Sequence, residues 1–165
     1  MSLRFAVLTV SDRSARGERP DASGPALVEV IKHQGWDVVR QSVLPDDLRI
    51  LQELLESWSD RGDVDVIITT GGTGFSPRDI TPEATRAVIE RDVPGLAESM
   101  RASSAYKSPY AMLSRAIAGI RGKVLIINLP GSPKAAVENF QIVIPVLVHA
   151  VKLLREDPDA EGHHL

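Results

Sequence analysis

The chain has no cysteine, so disulfides, thiolate metal sites and cysteine nucleophiles are all excluded. It has no basic excess either. Nineteen Lys and Arg against 22 Asp and Glu give a formal charge of -3, with the two signs interspersed. No basic stripe is available for a phosphodiester backbone, and nucleic acid is not expected as a partner. Met1 to Val10 carries no basic region, apolar signal core or small-residue cleavage site. No apolar stretch approaches membrane-spanning length. These two absences lead to the expectation of a cytoplasmic protein with no membrane partner. The four histidines, His33, His149, His163 and His164, share no ligand spacing, and none is assigned a catalytic role.

What the chain does have is alternation. Its 165 residues, 43% of them hydrophobic, suffice for one full core. The expected organisation is a single domain over residues 1–156 and a polar tail over 157–165 that frays. Leu3 to Val10 reads as a buried strand, and the polar stretch from Asp12 to Ser23 as a loop. Ser23-Gly24-Pro25 opens a helix with Leu27, Val30 and Ile31 on one face, ending at Gly35. Trp36 to Leu44 is a second strand. Asp46 occupies an N-cap position before a helix bearing Leu48, Leu51, Leu54, Leu55 and Trp58, and Val64 to Ile68 is a third strand. Thr81-Pro82 caps and starts a further helix, and Pro94 to Met100 is helical. Ala116 to Ile120 and Lys123 to Leu129 flank the turn Arg121-Gly122 as a hairpin. Ser132-Pro133 starts the last helix, with a break or kink at Pro145. Strands alternating with capped helices predict a three-layer α/β/α sandwich on a mostly parallel, mixed sheet.

Such sheets bind ligands at the carboxyl ends of their strands. Three polar signals fall there: Ser11-Asp12, Thr69-Thr70-Gly71-Gly72-Thr73-Gly74, and Pro130-Gly131-Ser132. Glycines among threonines permit close backbone approach and present amide donors to phosphate oxygens. The glycine run fits none of the common phosphate motifs. Gly74 is followed by Phe75-Ser76-Pro77 with no lysine, which excludes a Walker loop, and Pro77 stands where a dinucleotide fingerprint needs its third glycine. A Gly-x-Ser-x-Gly nucleophile elbow is absent.

Read together, Thr9-Val10-Ser11-Asp12-Arg13, Asp21-x-Ser23-Gly24-Pro25, Leu44-Pro45-Asp46, Thr69 to Gly74, Pro77-Arg78-Asp79-x-Thr81-Pro82-Glu83-Ala84-Thr85 and Leu129-Pro130-Gly131-Ser132-Pro133-Lys134 resemble the MoaB/Mog proteins of molybdenum cofactor biosynthesis and the G domain of gephyrin. The matches follow the family's order over almost the whole chain. The resemblance implies a molybdopterin adenylyltransferase, with magnesium as cofactor and ATP and molybdopterin as substrates, releasing pyrophosphate. It makes Asp46 and Asp79 the catalytic pair, with magnesium binding or substrate orientation as their role. It gives Gly71, Gly72, Thr73 and Gly74 to phosphate, Ser11 and Asp12 to the nucleotide side, Gly131, Ser132 and Lys134 to the rest of the cleft, and Ser114 to the pterin phosphate. It also implies a homotrimer, or a hexamer built from trimers. The chain passes from Gly131 straight into its last helix, without the longer insertion of some adenylyltransferases of the family. The alternatives are therefore a non-catalytic molybdopterin or nucleotide carrier, or a trimeric scaffold of the same fold.

Each residue also has a plainer role on local pattern. Asp46 is an N-cap, Asp79 satisfies turn amides or pairs with Arg78, and Asp12 closes an Asx-turn. Ser23 and Ser132 are caps, Lys134 is a solvated cation, and Trp36 and Trp58 are packing residues.

Overall fold

The computed structural model describes residues 1–162, in which a six-stranded sheet is covered by helices on both faces. In chain order these are β1 (Arg4–Val10), α1 (Asp12–Ala15), α2 (Ser23–His33), β2 (Asp37–Leu44), α3 (Leu48–Asp60), β3 (Val66–Thr70), α4 (Thr81–Val88), β4 (Arg91–Asp92), α5 (Pro94–Ala105), β5 (Ala118–Arg121), β6 (Val124–Leu129) and α6 (Pro133–Leu154). Short 3-10 helices cover Pro109–Leu113 and Pro158–Gly162. The strand order is β2-β1-β3-β6-β5-β4. The first four strands run parallel, and β5 is antiparallel to both β6 and β4. This is the expected three-layer architecture with its mixed sheet.

Side-chain alternation sorts β1 between two cores. Phe5 and Val7 point to one face with Leu27, Ile31, Phe140 and Leu147, and Ala6, Leu8 and Val10 point to the other with Leu51, Leu55, Trp58 and Val88. Phe5 stacks on Trp36 at 5.3 Å between ring centroids and meets Phe140 edge-on at 5.9 Å. Both tryptophans are thus packing residues. At the end of the sheet where β3 begins, the buried Asp65 carboxylate accepts from the Arg4 backbone N–H at 2.8 Å and from the guanidinium groups of Arg4 and Arg155. That cluster ties the first strand to the end of the last helix.

Several local expectations are corrected. The stretch after Ser11 is not all loop, because Asp12–Ala15 forms the short α1, with the Ser11 hydroxyl accepting from Ser14 N–H. The cap of α3 is Asp47, which accepts from Ile50 N–H at 3.0 Å, so Asp46 is free of capping. Leu48, the first apolar residue of that helix, is exposed, while Leu51, Leu55 and Trp58 are buried. Ser23 does not cap α2. Asp21 receives the Gly24 N–H at 3.1 Å in its place. Thr81 is the first residue of α4 rather than its cap, and its hydroxyl donates to Gly71 C=O at 2.9 Å. The hairpin turn is Gly122-Lys123, one residue later than expected.

Helix α6 runs unbroken through Pro145. The carbonyl of Gln141, deprived of its usual donor by the proline, lies on an exposed position where water can serve it. Contrary to the reading of the sequence, α6 is long and apolar enough to cross a membrane, with a mean hydropathy of 1.5. Here one face of it, through Phe140, Val143, Leu147 and Val151, is packed into the core. In the tail, Ala160 is buried within its 3-10 turn, while the expectation for His163, His164 and Leu165 lies outside the described residues.

Candidate active site

Strand β1 has β2 on one side and β3 on the other, so the chain leaves its carboxyl edge in opposite directions. This is the position where open α/β sheets form a ligand crevice. A cleft of about 590 Å³ opens there. It is lined by Thr9 to Ser14 at and after the end of β1, Arg19 to Ser23 before and into α2, Asp46 after β2, Thr70 to Gly72 at and after the end of β3, Asp79, and Gly131 to Pro133 at the start of α6.

The glycine loop takes its shape from positions that no side chain could occupy. Gly71 has φ +101° and Gly72 φ +68°. A Cβ on Gly71 would lie 2.3 Å from Val10 C=O, and one on Gly72 would lie 2.3 Å from the Thr81 hydroxyl and 3.1 Å from Asp46 Oδ1. Glycine here lets the loop cross the ends of β1 and α4 at backbone contact distance. The loop is anchored by Gly71 N–H to Leu129 C=O at 3.2 Å, Thr81 N–H to Gly72 C=O at 3.1 Å, and the Thr70 hydroxyl to Pro130 C=O at 2.6 Å.

Two aspartates from separate loops lock together at the mouth. Asp12 N–H donates to Asp46 Oδ2 at 3.0 Å, and Asp46 N–H donates to Asp12 Oδ1 at 3.0 Å. Arg78 then closes on Asp12 with two bonds of 3.0 Å. Hydrogen bonding to Arg78 holds the Asp12 carboxyl below the ordinary carboxylate range. Asp46 goes the other way: burial pushes its carboxyl up, and the charges of Asp12 and Asp79 add to that shift. Asp79 Oδ2 accepts from Ser76 N–H at 3.0 Å. Among the described residues, Asp46 Oδ1 and Asp79 Oδ1 receive no protein hydrogen bond, and the cleft carries more negative charge than Arg78 offsets.

That donor set fits a divalent cation. No group of three or more His, Cys, Asp or Glu among the described residues forms a protein-only metal cage. Two carboxylate oxygens with further positions left for phosphate and water match the habit of magnesium. Arg13 and Arg19 also line the cleft, Arg19 donating to the Ser11 hydroxyl at 3.3 Å, and Ser132 caps the N-terminus of α6 through Ala135 N–H. These are positive groups facing the same space, suited to an anionic ligand.

The residues drawn into one cleft by the sequence are divided by the structure between two. Ser11, Asp12, Asp46, Gly71, Gly72, Asp79, Gly131 and Ser132 line the larger cleft. Thr73, Gly74 and Ser114 line a second pocket of about 360 Å³, walled also by Met100, Tyr110, Leu113, Pro130 and Asn139. The partition is the glycine loop itself, which shows Gly71-Gly72 to one side and Thr73-Gly74 to the other. Lys134 lines neither and is exposed on the first turn of α6.

Three residues of this region escaped the sequence reading. Asn128, fully buried in β6, donates to the hydroxyls of Thr69 at 3.0 Å and Thr85 at 2.9 Å and accepts from Ile117 N–H at 3.2 Å, tying β3, α4 and the start of β5 below the second pocket. An asparagine inside the apolar run Val124 to Leu129 was its available signal. Arg19, in the polar stretch before α2, had no patterned neighbour. Arg115 had none either, yet it reaches back to the glycine loop.

Residues 6–149 match a sequence family described as a probable molybdopterin binding domain. The chain is 45% identical over 157 residues to the molybdenum cofactor synthesis protein cinnamon of Drosophila melanogaster, covering 94% of this chain and 26% of that protein. It thus spans about a quarter of that relative's length. A molybdopterin adenylyltransferase of Helicobacter pylori is 39% identical over 155 residues, covering 93% of this chain and 88% of that enzyme. Among solved structures, the molybdopterin biosynthesis enzyme MoaB of Thermus thermophilus superposes with a TM-score of 0.89 at 48% identity, covering 94% of this chain and 98% of that one.

Proposed function

The chain belongs to the molybdopterin-binding domain family of molybdenum cofactor biosynthesis, and from that membership we propose that it adenylylates molybdopterin with ATP, releasing pyrophosphate. The observation that carries this reading is the convergence of Asp46 and Asp79 beside the glycine loop, each with one oxygen held by a backbone N–H and one left for a cation. In the reaction a terminal phosphate oxygen of molybdopterin attacks the α-phosphorus of ATP. The new P–O bond forms as the bond from the α-phosphorus to the α,β-bridging oxygen breaks, and pyrophosphate leaves with that electron pair. A phosphate nucleophile is already anionic at neutral pH, so no side chain has to remove a proton. The protein's task is positioning and charge stabilisation.

The arrangement divides that task between its two cavities. The larger cleft, with the aspartates, Arg13 and Arg19, and with Arg78 on Asp12 at its mouth, takes the nucleotide. The smaller pocket, with Met100, Tyr110 and Leu113 beside Ser104, Ser114 and Asn139, has the mixture of apolar wall and hydrogen-bonding groups that a pterin ring requires. The two meet at Gly71 to Gly74, where phosphates from both substrates would face one another. Asp46 and Asp79 would hold magnesium, which neutralises the charge developing on the phosphate oxygens and the leaving pyrophosphate. The exposed side chains of Tyr106 and Met112 after α5, outside that pocket, supply apolar surface for the trimer expected from the resemblance.

Incubation of the purified chain with ATP, Mg2+ and molybdopterin tests the proposal, with adenylyl-molybdopterin and pyrophosphate as the expected products. Folded protein that binds both substrates and releases no pyrophosphate would establish the carrier role in its place.

A further inference from the structure

Arg115 lies outside the larger cleft, yet it grips the glycine loop and the turn that follows it at several points. Its backbone N–H donates to Thr73 C=O at 2.8 Å. Its guanidinium donates from Nε to Gly74 C=O at 2.8 Å and from Nη2 to Asp79 C=O at 2.7 Å, while Nη1 pairs with Glu83 on the first turn of α4. The carboxyl of Glu83 is drawn below its ordinary range by the hydrogen bond from Arg115. The segment is itself fixed on both sides, since Arg101 of α5 donates to Ser114 C=O at 3.4 Å and Ala116 C=O at 2.7 Å.

Between Gly74 and Asp79 the main chain has only turn contacts of its own, Asp79 N–H to Ser76 C=O at 2.9 Å and Ser76 N–H to Asp79 Oδ2 at 3.0 Å, and the turn reaches the far loop only through the exposed Arg78 side chain on Asp12. The turn bonds hold it together without fixing where it sits, and a long exposed side chain holds it loosely. Arg115 fixes the main chain itself, gripping both ends of the turn from one planar group. Only guanidinium can do so, because three of its N–H directions are used at once, toward two carbonyls and a carboxylate that lie apart.

The geometry points to Arg115 as the positioning residue that sets the place of the Asp79 carboxylate in the larger cleft. It touches no reacting atom and acts through Asp79, on the reading that this cleft takes a metal and a nucleotide. Because Ser114 and Thr73 line the second pocket, the same clamp joins the two halves of the site.

The test uses the full chain, Mn2+ as the metal and a non-hydrolysable ATP analogue, with binding followed by calorimetry and by Mn2+ electron paramagnetic resonance. Arg115→Lys keeps the charge and loses the fork, and it is expected to weaken binding of the Mn2+–nucleotide pair about tenfold or more. In an Asp79→Asn background the same change is expected to add less than about twofold, since the group it positions has gone. Glu83→Gln, which releases one arm of the clamp, is expected to weaken binding in the same direction and by less. Wild-type affinity in Arg115→Lys, or a loss that adds in full on Asp79→Asn, would overturn the positioning role. Absence of Mn2+–nucleotide binding in the wild-type chain would overturn the proposed function and this inference together. Should Arg115→Lys fail to fold, the comparison of Glu83→Gln in the two backgrounds decides the question by the same criterion.

Discussion

Asp12 and Asp46 each accept the other's backbone N–H, at 3.0 Å in both directions, and so join the loop after β1 to the loop after β2 across the mouth of the cleft. Each carboxylate is thereby aimed by a main-chain bond and not by its own rotamer alone. Only Asp12 receives a guanidinium, and Asp46 is left as the group whose charge lacks a partner.

Asp46→Asn is expected to separate activity from stability. The amide retains an oxygen for Asp12 N–H but cannot serve a divalent cation as a carboxylate does, so pyrophosphate release should fall by about a hundredfold or more. Stability should move the other way. The folded carboxyl of Asp46 lies above its unfolded value, so the native state binds more protons between those two values and loses stability as pH rises through that window. At neutral pH the carboxylate therefore costs folding energy, and the amide should melt at the same temperature or higher. A marked fall in melting temperature would contradict this account.

Arg78→Ala should shift metal and nucleotide affinity in opposite directions. The arginine is exposed on its loop and paired with Asp12, so its loss leaves the fold nearly unchanged. It also removes the guanidinium that hydrogen-bonds Asp12 in the cleft. Without nucleotide, Mn2+ should bind several-fold more tightly because the cleft has become more negative. With nucleotide, triphosphate affinity should fall several-fold for the same reason. Parallel titrations that changed in the same direction would show that Arg78 does not balance charge here.

The strand and helix alternation was legible because β1, β3 and β6 are apolar runs between polar punctuation, and the family motifs lie at their carboxyl ends. What escaped were choices made by tertiary contact. Asp46 and Asp47 are indistinguishable as caps by residue type, and only the reciprocal bond with Asp12 turns Asp46 into the cleft. Thr81 looks like a cap, yet its hydroxyl is drawn to Gly71 C=O by the path of the loop. The separation of Thr73, Gly74 and Ser114 from Gly71 and Asp79 depends on the two sides of one loop facing different cavities. Periodicity cannot express that. Arg115 was invisible for the same reason, because its partners lie 32 to 41 residues upstream.

Gly72→Ala should cost more than left-handed backbone alone explains. Gly62 has a similar φ of +77° with open space where a Cβ would go, so Gly62→Ala is a measure of conformational strain, about 1 kcal/mol. At Gly72 the added carbon would also meet the Thr81 hydroxyl and Asp46 Oδ1. The expected loss is about 2–3 kcal/mol or more. Equal losses in denaturant unfolding of the two variants would mean that the loop yields freely and is not held against Thr81.

Asp65 predicts where acid unfolding begins. Burial alone would push its carboxyl up, but hydrogen bonds from Arg4 and Arg155 outweigh burial and leave it below its ordinary value. A folded value below the unfolded one means that Asp65 contributes stability above the ordinary carboxylate range near about 4, and that this contribution is lost as pH falls through the depressed value. Asp65→Asn removes the charge that both arginines answer and leaves donors facing an amide at a buried position. The loss at pH 7 should be about 2–3 kcal/mol, the scale of hydrogen bonds to a charged group. As pH falls through that depressed value the wild-type carboxyl also becomes neutral, so the two proteins should converge in stability at the acid end. A difference that stayed constant from neutral pH into acid would place the role of Asp65 in packing and not in charge. Because β3 leads directly into the glycine loop, the same variant should also show whether fraying the start of that strand reaches the cleft at its other end, read as a change in nucleotide affinity at temperatures well below unfolding.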